Sequence, residues 1–220
     1  MIRFAGQGLA CRRGERLVFA GLDFSLEPGD ALVLTGRNGS GKTSLLRLAA
    51  GLTPPAAGRL AWHDGPVADD PQRHRGRLHY VGHLDAVKPA LTAIENLQGW
   101  ASLRGGDGTR AHRALDAFGL GALEDAPARY LSAGQRRRLA LCRLLASEAT
   151  LWLLDEPTVA LDRESVAAVH EVLARHRDAG GMAMIATNVD LAIGGVRTLA
   201  LGDFAPAEVP MEADDTALAS

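Results

Sequence analysis

The stretch Ala31-Leu32-Val33-Leu34-Thr35-Gly36-Arg37-Asn38-Gly39-Ser40-Gly41-Lys42-Thr43-Ser44-Leu45-Leu46 decides the architecture. Its first five residues form an apolar run of the kind found in a strand covered on both faces. Its last residues open a helix that reads over 42–52 and ends at Gly51 and Pro54-Pro55. Between them, residues 36–43 satisfy the pattern G-x-x-x-x-G-K-[ST]. Glycines let successive backbone N–H groups turn inward around phosphate oxygens, and the following helix aims its positive N-terminus at the same point. The candidate phosphate-binding residues are therefore Gly36, Arg37, Asn38, Gly39, Ser40, Gly41, Lys42, Thr43 and Ser44. Lys42 brings a mobile positive charge to the outer phosphates, and Thr43 offers a hydroxyl to Mg²⁺.

A nucleotide site of this kind needs a carboxylate opposite the loop. Leu151-Trp152-Leu153-Leu154-Asp155-Glu156 ends a second apolar run with two adjacent acids. In a parallel sheet the C-terminal strand ends gather at the ligand edge, so Asp155 faces the phosphate loop as a Mg²⁺ ligand. Glu156 then stands where a base would orient and deprotonate an attacking water. Taken without the loop, the same pair would read as no more than an acidic cap on the turn at Pro157.

Outward from these two segments the chain alternates. Short strand-like runs occupy 2–11, 17–19, 22–26, 59–62, 78–81, 182–187 and 197–201, separated by Gly, Pro and Asp turn signals. Helical spacing marks 92–103, 109–118, 133–147 and 163–179. Thr92 with Glu95 three residues on is a capping box, and Ser132 is an N-cap. Residues 64–77, rich in charge, Pro and Gly, read as loop or edge. Arg136-Arg137-Arg138 read as a solvated basic face, with phosphate or partner contacts as the second reading. The tail over 203–220 is acidic, poor in apolar residues, and expected to be solvated and poorly ordered.

Bulk properties narrow the classes. With 220 residues, 47% apolar, 23% charged and a net charge of -2, the chain has the composition of one soluble α/β domain rather than of a protein that coats nucleic acid. No run approaches the roughly 18 apolar residues of a membrane helix, and the first residues carry no signal-peptide pattern, so cytosolic residence is expected. Two distant cysteines and seven scattered histidines form no metal-ligand spacing.

Leu131-Ser132-Ala133-Gly134-Gln135 stands ahead of the Asp155-Glu156 pair. The order of phosphate loop, helical insert, L-S-x-G-Q and apolar-Asp-Glu resembles the ABC ATPases, with Leu161-Asp162 similar to the end of their D-loop. The resemblance implies an α/β P-loop NTPase of ABC type. It would have a mainly parallel core sheet, an N-terminal antiparallel β-subdomain and an inserted helical subdomain at about 85–147, all within residues 1–202. It implies ATP and Mg²⁺ as ligands and a head-to-tail homodimer. In that dimer Ser132, Gly134 and Gln135 of one subunit close over the ATP held by Lys42 of the other.

Three departures accompany it. His83 or Leu84 stands where the family has Gln, making His83 a candidate nucleotide-site residue. Asn188 stands where the family has a histidine that contacts the γ-phosphate, so slower turnover is expected, with Asn188 a catalytic candidate beside Glu156 and Lys42. Arg13 replaces the aromatic residue that stacks on adenine, as an arginine is able to do.

The segment over 82–97, together with residues 131–140 and 151–157, is similar to the haem exporter ATPase family of bacterial cytochrome c biogenesis. That likeness implies a membrane-embedded permease partner at the cytoplasmic face of the inner membrane, with no direct contact to haem and no nucleic acid. The competing readings are the ATPase of another ABC exporter and a soluble ATP-dependent regulator. Co-purification with a polytopic membrane protein separates the last of these from the others.

Overall fold

A computed structural model describes residues 2–106, 108–189 and 193–206. The chain opens with an antiparallel sheet. β1 (Phe4–Arg13) turns at Gly14-Glu15 into β2 (Arg16–Leu26), with Phe4 opposite Leu26 and Arg13 opposite Arg16. The two runs expected at 17–19 and 22–26 are one strand. Its register against β1 slips between the Leu9–Leu22 and Cys11–Phe19 pairs, and Gly21 takes φ +67° there, the signature of a bulge.

β3 (Ala31–Thr35) and α1 (Lys42–Ala49) follow, then β4 (Ala57–Trp62) on the other side of β1 and the two-residue β5 (Gly65–Pro66). The region expected as loop or edge at 64–77 holds β5, at the edge of its sheet, and also a helix, α2 (Pro71–Gly76). Asp70 caps α2 by accepting from Arg73 N at 2.9 Å, and Pro71 fills the first turn, where a missing N–H costs nothing. The cap signal was present locally, hidden in a charged and Pro-containing stretch.

Among the described residues five strands make the second sheet, all parallel, in the order β6 (Leu78–Val81), β7 (Leu151–Asp155), β8 (Met182–Ala186), β3, β9 (Arg197–Ala200). Its central strands are apolar throughout because both faces are covered. Alternate residues supply the two cores. Leu32, Leu34, Leu151, Leu153, Met182 and Met184 pack with α1 and the antiparallel sheet, whereas Ala31, Trp152, Leu154, Ala183 and Ile185 face the helices on the other side. Leu45, Leu46 and Leu48 of α1 are fully buried, each worth about 1.5–3 kcal/mol of transfer free energy, and this fastens the phosphate loop to the sheet.

The other face carries α3 (Ala93–Ser102), α4 (Ala111–Ala117), α5 (Ala133–Ala146) and α6 (Arg163–Asp178). Thr92 and Glu95 form the expected capping box on α3, and Ser132 with Gln135 forms a second on α5. After β9 the chain makes a short 3₁₀ turn, Leu201–Phe204, with Leu201 buried and Phe204 packed against the first core. Order thus extends past Asp203, where a solvated tail was expected to start. Residues 207–220 of that tail lie outside the described residues.

Candidate nucleotide site

The strand order brings the C-terminal ends of β6, β7, β8 and β3 side by side, and each ends in or leads to residues that the sequence had marked. β3 runs into the glycine loop, β7 ends in Asp155-Glu156, β8 leads to Thr187-Asn188, and β6 leads to Gly82-His83. A cleft of about 310 Å³ opens there, lined by Arg13, Asn38, Gly39, Ser40, Gly41, Lys42, Thr43, Ser44, His83, Asp155, Glu156 and Asn188.

Glycine is required locally at two points of the loop. Gly36 takes φ +140° and a Cβ there would lie 2.7 Å from Ser40 Oγ; Gly41 takes φ +105° and a Cβ would lie 2.8 Å from Val18 Cγ1. Gly41 also caps α1 with no side-chain bond, and no acid sits in the first turn, so the helix start keeps its N–H groups and its positive end for an anion.

The side chains are held in a connected network. Lys42 Nζ donates to Gly36 O at 2.6 Å and to Asn188 Oδ1 at 2.7 Å. The Asn188 amide nitrogen donates to Glu156 Oε1 at 3.0 Å and to Asn38 Oδ1 at 3.1 Å. One neutral amide thus presents its oxygen to a cation and its nitrogen to a carboxylate. A single imidazole does that in only one of its neutral tautomers. Thr43 Oγ1 donates to Asp155 Oδ1 at 3.1 Å. Asp155 is 2% exposed, and its Oδ2 is buried without a hydrogen-bond partner, as is Ser40 Oγ. A buried carboxylate oxygen with no donor is costly unless a cation meets it. The Thr43 hydroxyl and Asp155 oxygens are hard donors, few in number, suited to Mg²⁺, which keeps waters and phosphates as its remaining ligands. Among the described residues no group of three or more His, Cys, Asp or Glu could hold a metal without such help.

Among the described residues Glu156 is one of three non-glycine residues with positive φ, at +49°. Its N–H donates to Ala186 O at 2.8 Å, tying the acidic pair to β8.

Of the remaining candidates, Arg37 is exposed and does not line the cleft. Arg13 sits exposed on its rim at the β1–β2 turn. His83 lines the cleft, whereas Leu84 stands outside it at 82% exposure. Ser132, Gly134 and Gln135 do not reach this cleft within the chain. Ser132 Oγ accepts from Gln135 N at 3.2 Å and Ser132 N donates to Gln135 Oε1 at 2.7 Å, which presents the start of α5 outward.

The basic run was misread. Arg137 is 5% exposed and buried behind the acidic pair, while Arg136 donates to Leu131 O and Arg138 to Phe118 O. Helical spacing alone does not single it out, since Arg138 likewise has Leu141, Cys142 and Leu145 three, four and seven residues on.

Comparison with known proteins agrees with this geometry. The family profile described as ABC transporter matches residues 19–159. The cytochrome c biogenesis ATP-binding export protein CcmA of Rhodospirillum rubrum is 57% identical over 203 residues, covering 92% of this chain and 87% of that protein. This chain belongs to the ABC transporter family. It is an ABC-type ATPase, and its similarity to proteins named CcmA continues in Paramagnetospirillum magneticum, 54% identical over 93% of this chain and 96% of the relative. The same fold occurs in an ABC transporter ATP-binding protein from Pyrococcus furiosus, with a TM-score of 0.81, 22% identity and coverage of 93% and 100% of the two chains. It occurs also in a dimeric ATP-binding cassette solved in a post-hydrolysis state with ADP and Pi, with a TM-score of 0.75 at 22% identity, covering 86% of this chain and 88% of that one. No described helix is long and apolar enough to cross a membrane.

Proposed function

We propose that this ABC ATPase holds Mg-ATP in the cleft at the strand ends and powers the haem-handling export step of cytochrome c biogenesis, docked on a membrane-embedded permease. The observation that carries the site assignment is that Lys42, Thr43, Asp155 and Glu156 line one cleft, with Asp155 Oδ2 buried and without a hydrogen-bond partner.

In this reading the amides of residues 36–43 and the start of α1 receive the β- and γ-phosphates. Lys42 exchanges its bonds to Gly36 O and Asn188 Oδ1 for phosphate oxygens. Thr43 Oγ1 and Asp155 Oδ2 would hold Mg²⁺, which neutralises charge on the outer phosphates when bound. Glu156 Oε1 accepts the proton of the attacking water, and Asn188 holds that carboxylate in place with a hydrogen bond. Arg13 stacks on the base from the rim, and His83 faces the phosphates from the β6 end. A homodimer completes the site: Ser132, Gly134 and Gln135 of a second copy cover the γ-phosphate with the free start of α5. Residues 1–202 act as one ATP-binding domain with its helical subdomain at about 85–147. The complex sits at the cytoplasmic face of the inner membrane, without nucleic acid and without direct contact between this chain and haem. Support for the export role comes from the names of the relatives and the extent of the match.

Two measurements test this. Glu156→Gln is expected to retain Mg-ATP and elute as a dimer on size exclusion, while Lys42→Ala binds and turns over little ATP. Pull-down of the full chain from membranes of the native organism is expected to bring a polytopic membrane protein with it. Recovery as a free monomer under every nucleotide condition would favour a soluble regulator and overturn the export reading.

A further inference from the structure

Arg137 is the most heavily bonded buried cation in the chain's described residues that the nucleotide chemistry leaves unused. One guanidinium nitrogen donates to Asp155 O at 2.7 Å and Glu156 O at 2.8 Å. Another donates to Gly82 O at 2.8 Å and pairs with Asp85 Oδ1 at 3.2 Å. Four oxygens from two segments far apart in sequence therefore meet on one side chain whose own helix, α5, opens with Ser132. Burying a guanidinium is costly unless geometry repays it, and a planar fork is the group that can bond two backbone segments at once. The core of α5 needs no charge at this position: its neighbours on that face are Ala140, Leu141 and Leu144.

What the fork grips is the backbone of a strained residue. Glu156 stands at φ +49°, a conformation that is strained for a non-glycine residue and persists only where its surroundings hold it. Its N–H is fixed on Ala186 O and its carbonyl on Arg137, so the peptide on each side of the Cα is pinned. The direction of the Glu156 carboxylate follows from those two restraints together with the Asn188 bond.

We propose that Arg137 is a positioning residue for hydrolysis: it sets the Glu156 carboxylate through the backbone and links it rigidly to the Gly82-His83-Leu84-Asp85 segment. That segment lines the cleft with His83 and exposes Leu84, so a displacement there reaches Glu156 through a single side chain. The proposal rests on Glu156 being the base.

The test is steady-state ATPase and ATP binding on the full chain, with Arg137→Gln, Arg137→Lys, Asp85→Asn and Glu156→Gln in parallel. Val169→Ala, which thins the core under α6, measures what lost stability alone does. Arg137→Gln is expected to lower kcat by about 10- to 100-fold with KM for ATP changed less than about threefold, since a small misplacement of a reacting group is enough for such a loss. Arg137→Lys, which keeps the charge without the fork, recovers part of kcat, and Asp85→Asn lowers kcat by less than Arg137→Gln does. If Arg137→Gln does not fold, the Arg137→Lys and Asp85→Asn kcat values decide, since a positioning role requires both to fall with KM unchanged. Arg137 variants that keep wild-type kcat, or lose kcat and ATP affinity together as far as Val169→Ala does at equal thermal stability, overturn the proposal. Turnover retained by Glu156→Gln would instead remove the base assignment and leave the structural link without its function.

Discussion

Asp155 offers a prediction in which stability and function move in opposite directions. Its carboxylate is 2% exposed, receives one hydroxyl from Thr43 at 3.1 Å, and leaves Oδ2 buried with no donor. Asp155→Asn keeps the shape and an acceptor for Thr43 while removing the charge. An unsatisfied neutral amide costs about 1–3 kcal/mol, and an unsatisfied charged oxygen costs more. The apo protein should therefore gain about 1–2 kcal/mol, or roughly 2–8 °C in midpoint for a chain of this size, where 1 kcal/mol is worth about 2–4 °C. The ligand response should go the other way. A ligand present at about 100 times its Kd stabilises the wild type by about 2.7 kcal/mol, and the Mg²⁺-dependent part of that shift should vanish in the variant. Thermal melts of wild type and Asp155→Asn, each alone, with ATP and EDTA, and with Mg-ATP, read both terms at once. A variant that melts below wild type in the apo state, or that keeps the full Mg²⁺-dependent shift, would falsify the reading of Oδ2 as an open cation ligand.

Asn188→His should raise kcat roughly 3- to 10-fold, because an imidazolium donates a charge-assisted bond to the γ-phosphate where the amide donates a neutral one, a difference of about 1 kcal/mol. No increase in steady-state turnover would remove position 188 from the rate-limiting chemistry. His79 governs a separate acid response: burial chiefly, then the nearby Arg104, Arg143 and His176, hold its pKa down at about 4 from an ordinary 6.5, against the Ser147 carbonyl that its Nε2–H donates to at 3.0 Å. Its folded pKa is depressed, so the unfolded chain binds the proton first. Stability is then full above about pH 6.5 and falls as pH drops toward 4, by roughly 2–3 kcal/mol. Burial lowers His74 and His176 in the same sense. Denaturant unfolding across that window should be visibly flatter in His79→Gln, and an unchanged slope would show that other groups dominate.

What the sequence determined by itself was carried mainly by short-range patterns, although the Asp70 cap of α2, equally short in range, stayed hidden among charged residues. The Thr92–Glu95 box and the Ser132 cap are local devices whose partners lie three residues away, and the glycine loop is one contiguous motif, so residue types and spacing suffice to read them. Burial of both faces of β3, β7 and β8 likewise follows from uninterrupted apolar runs. Tertiary structure alone decided which distant groups meet. Asn188 reaches Lys42 across 146 residues of chain only because β8 lies beside β3, and nothing near Asn188 in sequence announces that its amide bridges Lys42 and Glu156. Arg137 was read as solvated because its neighbours in sequence are charged. Its environment is set by β6 and β7, whose carbonyl ends supply the acceptors that make a buried guanidinium tolerable. Charge patterns are legible in one dimension only while water is the partner; once backbone from elsewhere replaces water, the packing of the strands decides.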